Sequence, residues 1–172
     1  ANIKGRDNYY SKTEIPPYAH SYLLTEVLSV DYVDLTGDGP TEDDLGTYTK
    51  FNYDRKHEGY KWRVPYRRNT ASHNPGLLFD EQDDKGVVLE GEKDIYYLRE
   101  VLTRTHKAEF RYYHRKDGAE STDDFNSKPK YLQKLNRIEL STNTGELIKT
   151  VHFEYNYELC PGIHNNRIHA ND

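Results

Sequence analysis

The chain has 172 residues, a net charge of -5 and 31% charged residues. Its pI of about 5.9 argues against a general nucleic-acid binder, which would carry a basic surface. No apolar run reaches the roughly 18 residues needed to span a bilayer.

A mean hydropathy of -1.04 would by itself suggest disorder. The 16 Tyr, 5 Phe and 1 Trp argue for a fold instead, because they fall in alternating patterns. Tyr buries a ring while its hydroxyl stays hydrogen-bonded, so a Tyr-rich sheet can score as hydrophilic and still pack. The opening "ANIKGRDNYY" has no signal-peptide pattern and the chain contains no Met, which reads as an internal or mature segment of something longer. Cys160 is the only cysteine, so an internal disulfide and a four-cysteine zinc site are both excluded. One unpaired cysteine fits a reduced compartment or a secreted protein that does not rely on disulfides.

In chain order, residues 1–20 read as an arm or loop, with Pro16-Pro17 blocking regular pairing. Residues 21–160 read as a β-rich domain and 161–172 as a tail. Residues 22–33 are apolar and β-branched; 21–29 would also fit a helical stripe, but the continuation "SVDYVDL" favours a strand. "TYTKFNY" sets Phe51 and Tyr53 opposite Lys50 and Asn52. "YKWRVPY" sets Tyr60, Trp62, Val64 and Tyr66 opposite Lys61 and Arg63, with Pro65 confining it to an edge or a bulge. Two hairpins follow from spacing: "IYYLREVL" and "AEFRYYH" around "TRTHK", and "KLNRIEL" and "LIKTVHFEY" around "STNTGE". In "IKTVHFEYNY" the alternation of Val151, Phe153, Tyr155 and Tyr157 against His152, Glu154 and Asn156 predicts a strand through Tyr157. The stretches 67–86 and 115–130 read as polar loops. The fold class expected is all-β, mainly antiparallel strands and hairpins with long polar loops.

Chemistry concentrates in "DYVDLTGDGPTEDDLG", Asp31 to Gly46, with six carboxylates and three glycines. Calcium takes six to eight oxygens, and short loops supply them from alternate positions with a glycine at the turn. Asp34, Thr36 and Asp38 are spaced by two, Gly39 follows, Pro40 offers a carbonyl, and Glu42, Asp43 and Asp44 offer closing carboxylates. The candidate metal ligands are therefore Asp34, Thr36, Asp38 and Glu42, with calcium as the ion. The pattern departs from an EF-hand loop at Thr36 and at Leu45, which stands where the bidentate Glu would be. The alternative is an acidic turn with solvated carboxylates.

Other candidate chemistry is sparser. Cys160, His164 and His169 form C-x3-H-x4-H, an unusual metal spacing that reads as an exposed tail. His152 falls on the solvent side of its strand. Nucleophile-elbow, P-loop and dinucleotide motifs are missing. The pairs Asp83/Asp84 and Asp123/Asp124 lie in polar loops without an apolar setting to raise a pKa. Tyr60, Trp62 and Tyr66 could stack on sugar rings, which makes a carbohydrate-binding module the alternative function; packing at a core or an edge is the plainer reading. A further alternative is part of an enzyme whose active site lies elsewhere in the chain.

The segments "YAHSYLLTEVLSVDYVDLTGDGPTEDDLGTYTKFNY", "YKWRVPY", "GEKDIYYLREVLTRTHKAEFRYYHRKDG" and "KLNRIELSTNTGELIKTVHFEYNYELCPG", in this order, resemble internal parts of very large bacterial proteins. Those are the Rhs/YD-repeat family and the B component of insecticidal toxin complexes. The resemblance spans most of residues 18–163 and carries no catalytic motif; a Tyr-Asp repeat proper is absent. It implies a hairpin-built shell or surface scaffold, a non-enzymatic role, export to the cell surface or medium, and neighbouring segments of the same polypeptide as partners.

Overall fold

The computed structural model describes residues 13–66, 71, 86–121 and 128–159. Six strands run in chain order: β1 (Glu26–Leu28), β2 (Tyr48–Val64), β3 (Leu89–Thr103), β4 (His106–Ala119), β5 (Tyr131–Thr142) and β6 (Leu147–His152). Each pairs antiparallel with its neighbour in sequence, so the sheet is a meander of order β1-β2-β3-β4-β5-β6. Two of these pairings, β3–β4 and β5–β6, follow from the two short turns read in the sequence. Arg104 and Thr105 join β3 to β4, and at the β5–β6 turn Gly145 takes φ 92° while its N–H donates to Thr142 O at 3.0 Å. The described residues contain no helix, and so none long and apolar enough to cross a membrane.

The all-β, antiparallel expectation holds, with four local corrections. The two strands expected around "TYTKFNY" and "YKWRVPY" are one 17-residue strand, β2, bent by register shifts at Asn52/Tyr53, Arg55/His57 and His57/Tyr60. The strand expected over 22–33 shrinks to Glu26–Leu28, with Val33 bridging to Leu45 beyond it. Residues 115–119, read as loop, continue β4. The strand expected to reach Tyr157 stops at His152. A bulge in β5 between Leu135 and Arg137 turns that strand away, and Phe153 N–H to Asn136 O is the last rung. Tyr155 and Tyr157 then pack around Lys134 Nζ at 5.2 and 5.4 Å, and Tyr157 Oη accepts from Lys116 N–H. Of the 67–86 loop, residues 67–70 and 72–85 lie outside the described residues, as do Cys160, His164, His169, Asp83, Asp84, Asp123 and Asp124.

Register divides the centre of the sheet into two faces, because cross-strand partners share a side. One face carries the rows Phe51–Val101–Ala108–Leu140 and Phe110–Ile138–Val151. The other carries Glu100–Glu109–Glu139 beside Arg111–Arg137–His152. Like charges directly opposite one another are unfavourable. Ion pairs along and across the strands offset them: Arg111 reaches Glu109 of its own strand and, diagonally, Glu139 at 3.2 Å each, and Arg137 reaches Glu139 of its own strand at 2.8 Å. The hydrogen bond from Arg137 and then that from Arg111 hold the Glu139 carboxyl below its ordinary value.

β3 and β4 pair only over Glu100–Leu102 with Lys107–Glu109. Beyond that point the β2–β3 and β4–β5 ladders separate and are tied by polar aromatic contacts instead. Tyr97 and Tyr112 rings meet at 5.1 Å, Tyr112 Oη donates to Leu98 O at 2.8 Å, and Gln133 N–H donates to Tyr97 Oη at 2.8 Å. At the far end Tyr60 Oη donates to Gly118 O at 3.1 Å, and Ser121 N–H donates to Lys61 O at 2.9 Å. The buried aliphatic and aromatic residues among the described ones are Tyr48, Tyr60 and Ala119. No Leu, Ile, Val or Phe joins them there.

This tyrosine-built interior has an alkaline limit. Burial pushes the Tyr60 phenol up to about 12, and burial likewise raises Tyr48, Tyr66 and Tyr112. A raised folded-state pKa contributes stability that is complete below the ordinary value of 10.0 and is lost as pH rises toward the folded value. Spectroscopic tyrosine titration should therefore show a late-ionising set of phenols, together with loss of β-sheet circular dichroism, between pH 10 and about 12. A single normal titration with the sheet intact would contradict the assignment.

Candidate functional site

The acidic stretch forms a closed loop. Val33 and Leu45 exchange N–H to O bonds of 3.1 Å in both directions and bring its two ends together. Inside, two carboxylates organise the backbone. Asp34 Oδ1 accepts from Thr36 N–H at 3.2 Å and Gly37 N–H at 2.6 Å, and its Oδ2 accepts from Gly39 N–H at 3.0 Å. Asp44 is 1% exposed and accepts from Tyr32 Oη at 2.7 Å, Leu35 N–H at 3.0 Å and Thr41 N–H at 2.9 Å. A buried carboxylate is tolerated only with this degree of hydrogen bonding. Burial alone would raise the Asp44 pKa. The bonds from Thr41 N–H, Tyr32 and Leu35 N–H outweigh it and hold the carboxyl below its ordinary value.

The loop is also docked onto the two hairpin turns. Arg104 Nη1 donates to Asp44 O at 2.8 Å and Gly46 O at 3.0 Å. Asn143 Nδ2 donates to Glu42 Oε1 at 2.9 Å and to Arg104 O at 2.9 Å. The β3–β4 turn, the β5–β6 turn and the acidic loop thus meet at one end of the sheet.

The four candidate calcium ligands are all engaged in hydrogen bonds in this arrangement, two of them with each other. Asp34 is engaged by three backbone amides, Thr36 Oγ1 donates to Asp38 Oδ1 at 2.6 Å, and Glu42 accepts from Asn143. Among the described residues no group of three or more His, Cys, Asp or Glu side chains is placed to hold a metal ion. The donor types suit calcium, but their geometry here is that of a hydrogen-bonded turn. Nor is it simply a turn of solvated carboxylates, since Asp44 is buried. Sequence spacing offered nothing to separate Asp44 from its neighbour Asp43.

Comparison with protein-family models, curated proteins and solved structures yields no match. The residues themselves therefore carry the functional argument.

The aromatic trio separates. Tyr60 is 5% exposed beneath the end of β4, so it offers no face to a sugar ring. Tyr66 is half-buried and donates to Glu120 O at 3.2 Å. Trp62, 38% exposed, lies across Gly91 of β3, where an added Cβ would come within 3.1 Å of the indole. The trio, for which packing at a core or an edge is the plainer reading and a sugar platform the alternative, is thus one core residue, one tether and one strand-covering ring. Alternation alone could not show this, because the element that covers Tyr60 lies far along the chain.

Beside them sits a residue that the sequence reading did not single out. Glu120 is 8% exposed, and its two oxygens accept from Lys130 N–H at 2.9 Å and Lys61 N–H at 3.4 Å. It clips the end of β2 to the entry of β5. Among the described residues every buried side-chain nitrogen and oxygen has a hydrogen-bond partner.

Proposed function

We propose that the chain is a non-enzymatic structural segment of a large secreted or cell-surface bacterial protein of the Rhs/YD-repeat kind. Its partners are neighbouring segments of the same polypeptide. The observation that carries this reading is the apolar face of the sheet. Phe51, Val101, Phe110, Ile138 and Leu140 share that face across four strands, yet each is only half-buried, and Val151 is exposed. A sheet with one apolar face normally buries it against another layer. Among the described residues nothing completes that burial, so a neighbouring layer is the natural cover. The hydrogen-bonded turns at one end and the Tyr60–Glu120 clasp at the other keep the face in shape for docking.

Mutational cost tests the reading. In the isolated chain, Ile138→Ala should cost about 1–2 kcal/mol in urea denaturation, because the side chain is only partly buried. A fully enclosed isoleucine would cost about 2–5 kcal/mol. A cost in that higher range would mean the face is already covered, and the reading would fall.

A further inference from the structure

The outer edges of β1 and β6 have no partner strand among the described residues. Open edges present unpaired N–H and C=O groups that template further pairing. The bonds already made fix which groups point outward. Ser29 N–H donates to Thr47 O and Phe51 N–H donates to Thr25 O, so Thr25, Val27 and Ser29 face β2. The alternation of an antiparallel ladder then turns the backbone groups of Glu26 and Leu28 outward. On the opposite edge, Phe153 N–H donates to Asn136 O, so Phe153 and Val151 face β5 while Thr150 and His152 turn outward.

The two edges fit one another. Six strands alternate in direction, so a β1 laid beside β6 runs antiparallel to it and continues the meander with the apolar faces on the same side. Setting outward groups against outward groups places Glu26 opposite His152 and Leu28 opposite Thr150. Val27, 52% exposed, then falls opposite Val151, 41% exposed, on the apolar face. Charges agree as well. β1 carries Glu26 and no cation, whereas β6 carries Lys149 and His152 and no carboxylate. Pairing β6 with itself would instead bring two cationic strands together.

We propose that β6 of one copy of this chain receives β1 of a second copy as its next strand, with Val27 against Val151 and Glu26 against His152. Such a contact is heterologous: each added copy leaves one β1 edge and one β6 edge free, so assembly continues past the dimer. The inference rests on the edges and is independent of the apolar face that carries the proposed role.

Sedimentation velocity across a wide concentration range tests it, with circular dichroism as the check on folding. The wild-type chain should form a growing series of species. Thr150→Pro removes an outward N–H and spares the inward ladder, and should weaken association by roughly tenfold or more. His152→Glu should weaken it roughly fivefold by opposing Glu26, and adding Glu26→Lys should restore it. That rescue keeps the test decisive even if the proline variant fails to fold. A wild-type chain that stays monomeric throughout would overturn the proposal. So would association unchanged by His152→Glu, which would place the contact on the apolar face.

Discussion

Tyr60→Ala should destabilise the chain by about 3–4 kcal/mol, the range expected when a buried aromatic ring is removed. Native domains have only about 5–15 kcal/mol in hand, so this is the largest single-residue effect expected here. Tyr60→Phe keeps the ring and loses only the bond to Gly118 O, so it should cost about 1 kcal/mol. The two variants separate packing from hydrogen bonding. Hydrogen exchange locates the damage: in Tyr60→Ala the amides of Glu120 and Ser121 should lose protection, while the short β3–β4 pairing at Glu100–Leu102 keeps its own. Equal losses in both variants would show that the ring is not a packing element. If Gly118–Ser121 stayed protected, the β2–β4 clasp would not depend on Tyr60.

Asp44→Ala should lower the melting temperature by roughly 5–10 °C, because it leaves the N–H groups of Leu35 and Thr41 and the Tyr32 hydroxyl without their acceptor. Asp43→Ala, one residue away at an exposed site, should change it little. The same carboxylate sets an acid limit. Its folded-state pKa lies below the ordinary 3.8, so its contribution is complete above that value and is lost as pH falls through the folded one. Loop order should therefore hold down to the ordinary value of 3.8 and be lost only as pH falls below it. Neutral Asp44→Asn should resemble the acid state at neutral pH.

Calcium enters through the same measurement. A loop held by Asp34 and Asp44 through backbone amides should melt at the same temperature in excess chelator and in millimolar calcium. A calcium-dependent rise that disappears in Asp38→Ala would instead place an ion at Asp34, Thr36, Asp38 and Glu42. The contrast matters for the proposed scaffold role. It decides whether the end of the sheet is fastened by the chain alone or by the calcium of an extracellular setting.

The antiparallel all-β class and both hairpins were legible in the amino-acid order. Alternation and turn residues act within a few positions, and Phe51, Val101, Phe110 and Ile138 announce a face through that local pattern. The limits of β6 and β2 were not legible in this way. A bulge at Asn136 ended one strand while Tyr155 and Tyr157 kept alternating, and Pro65 stood just past a strand that absorbed two predicted ones. The functional residues divide along the same line. Local spacing marked Asp34, Thr36 and Asp38, whose bonds reach only two to five residues along the chain. Burial of Tyr60 depends on Gly118, 58 residues away, and the partner of Glu42 lies 101 residues on. Contacts of that span leave no periodic trace in a single sequence. Only the folded sheet could show that Tyr60 lies in the core and that Glu42 ties the loop to a hairpin turn through Asn143.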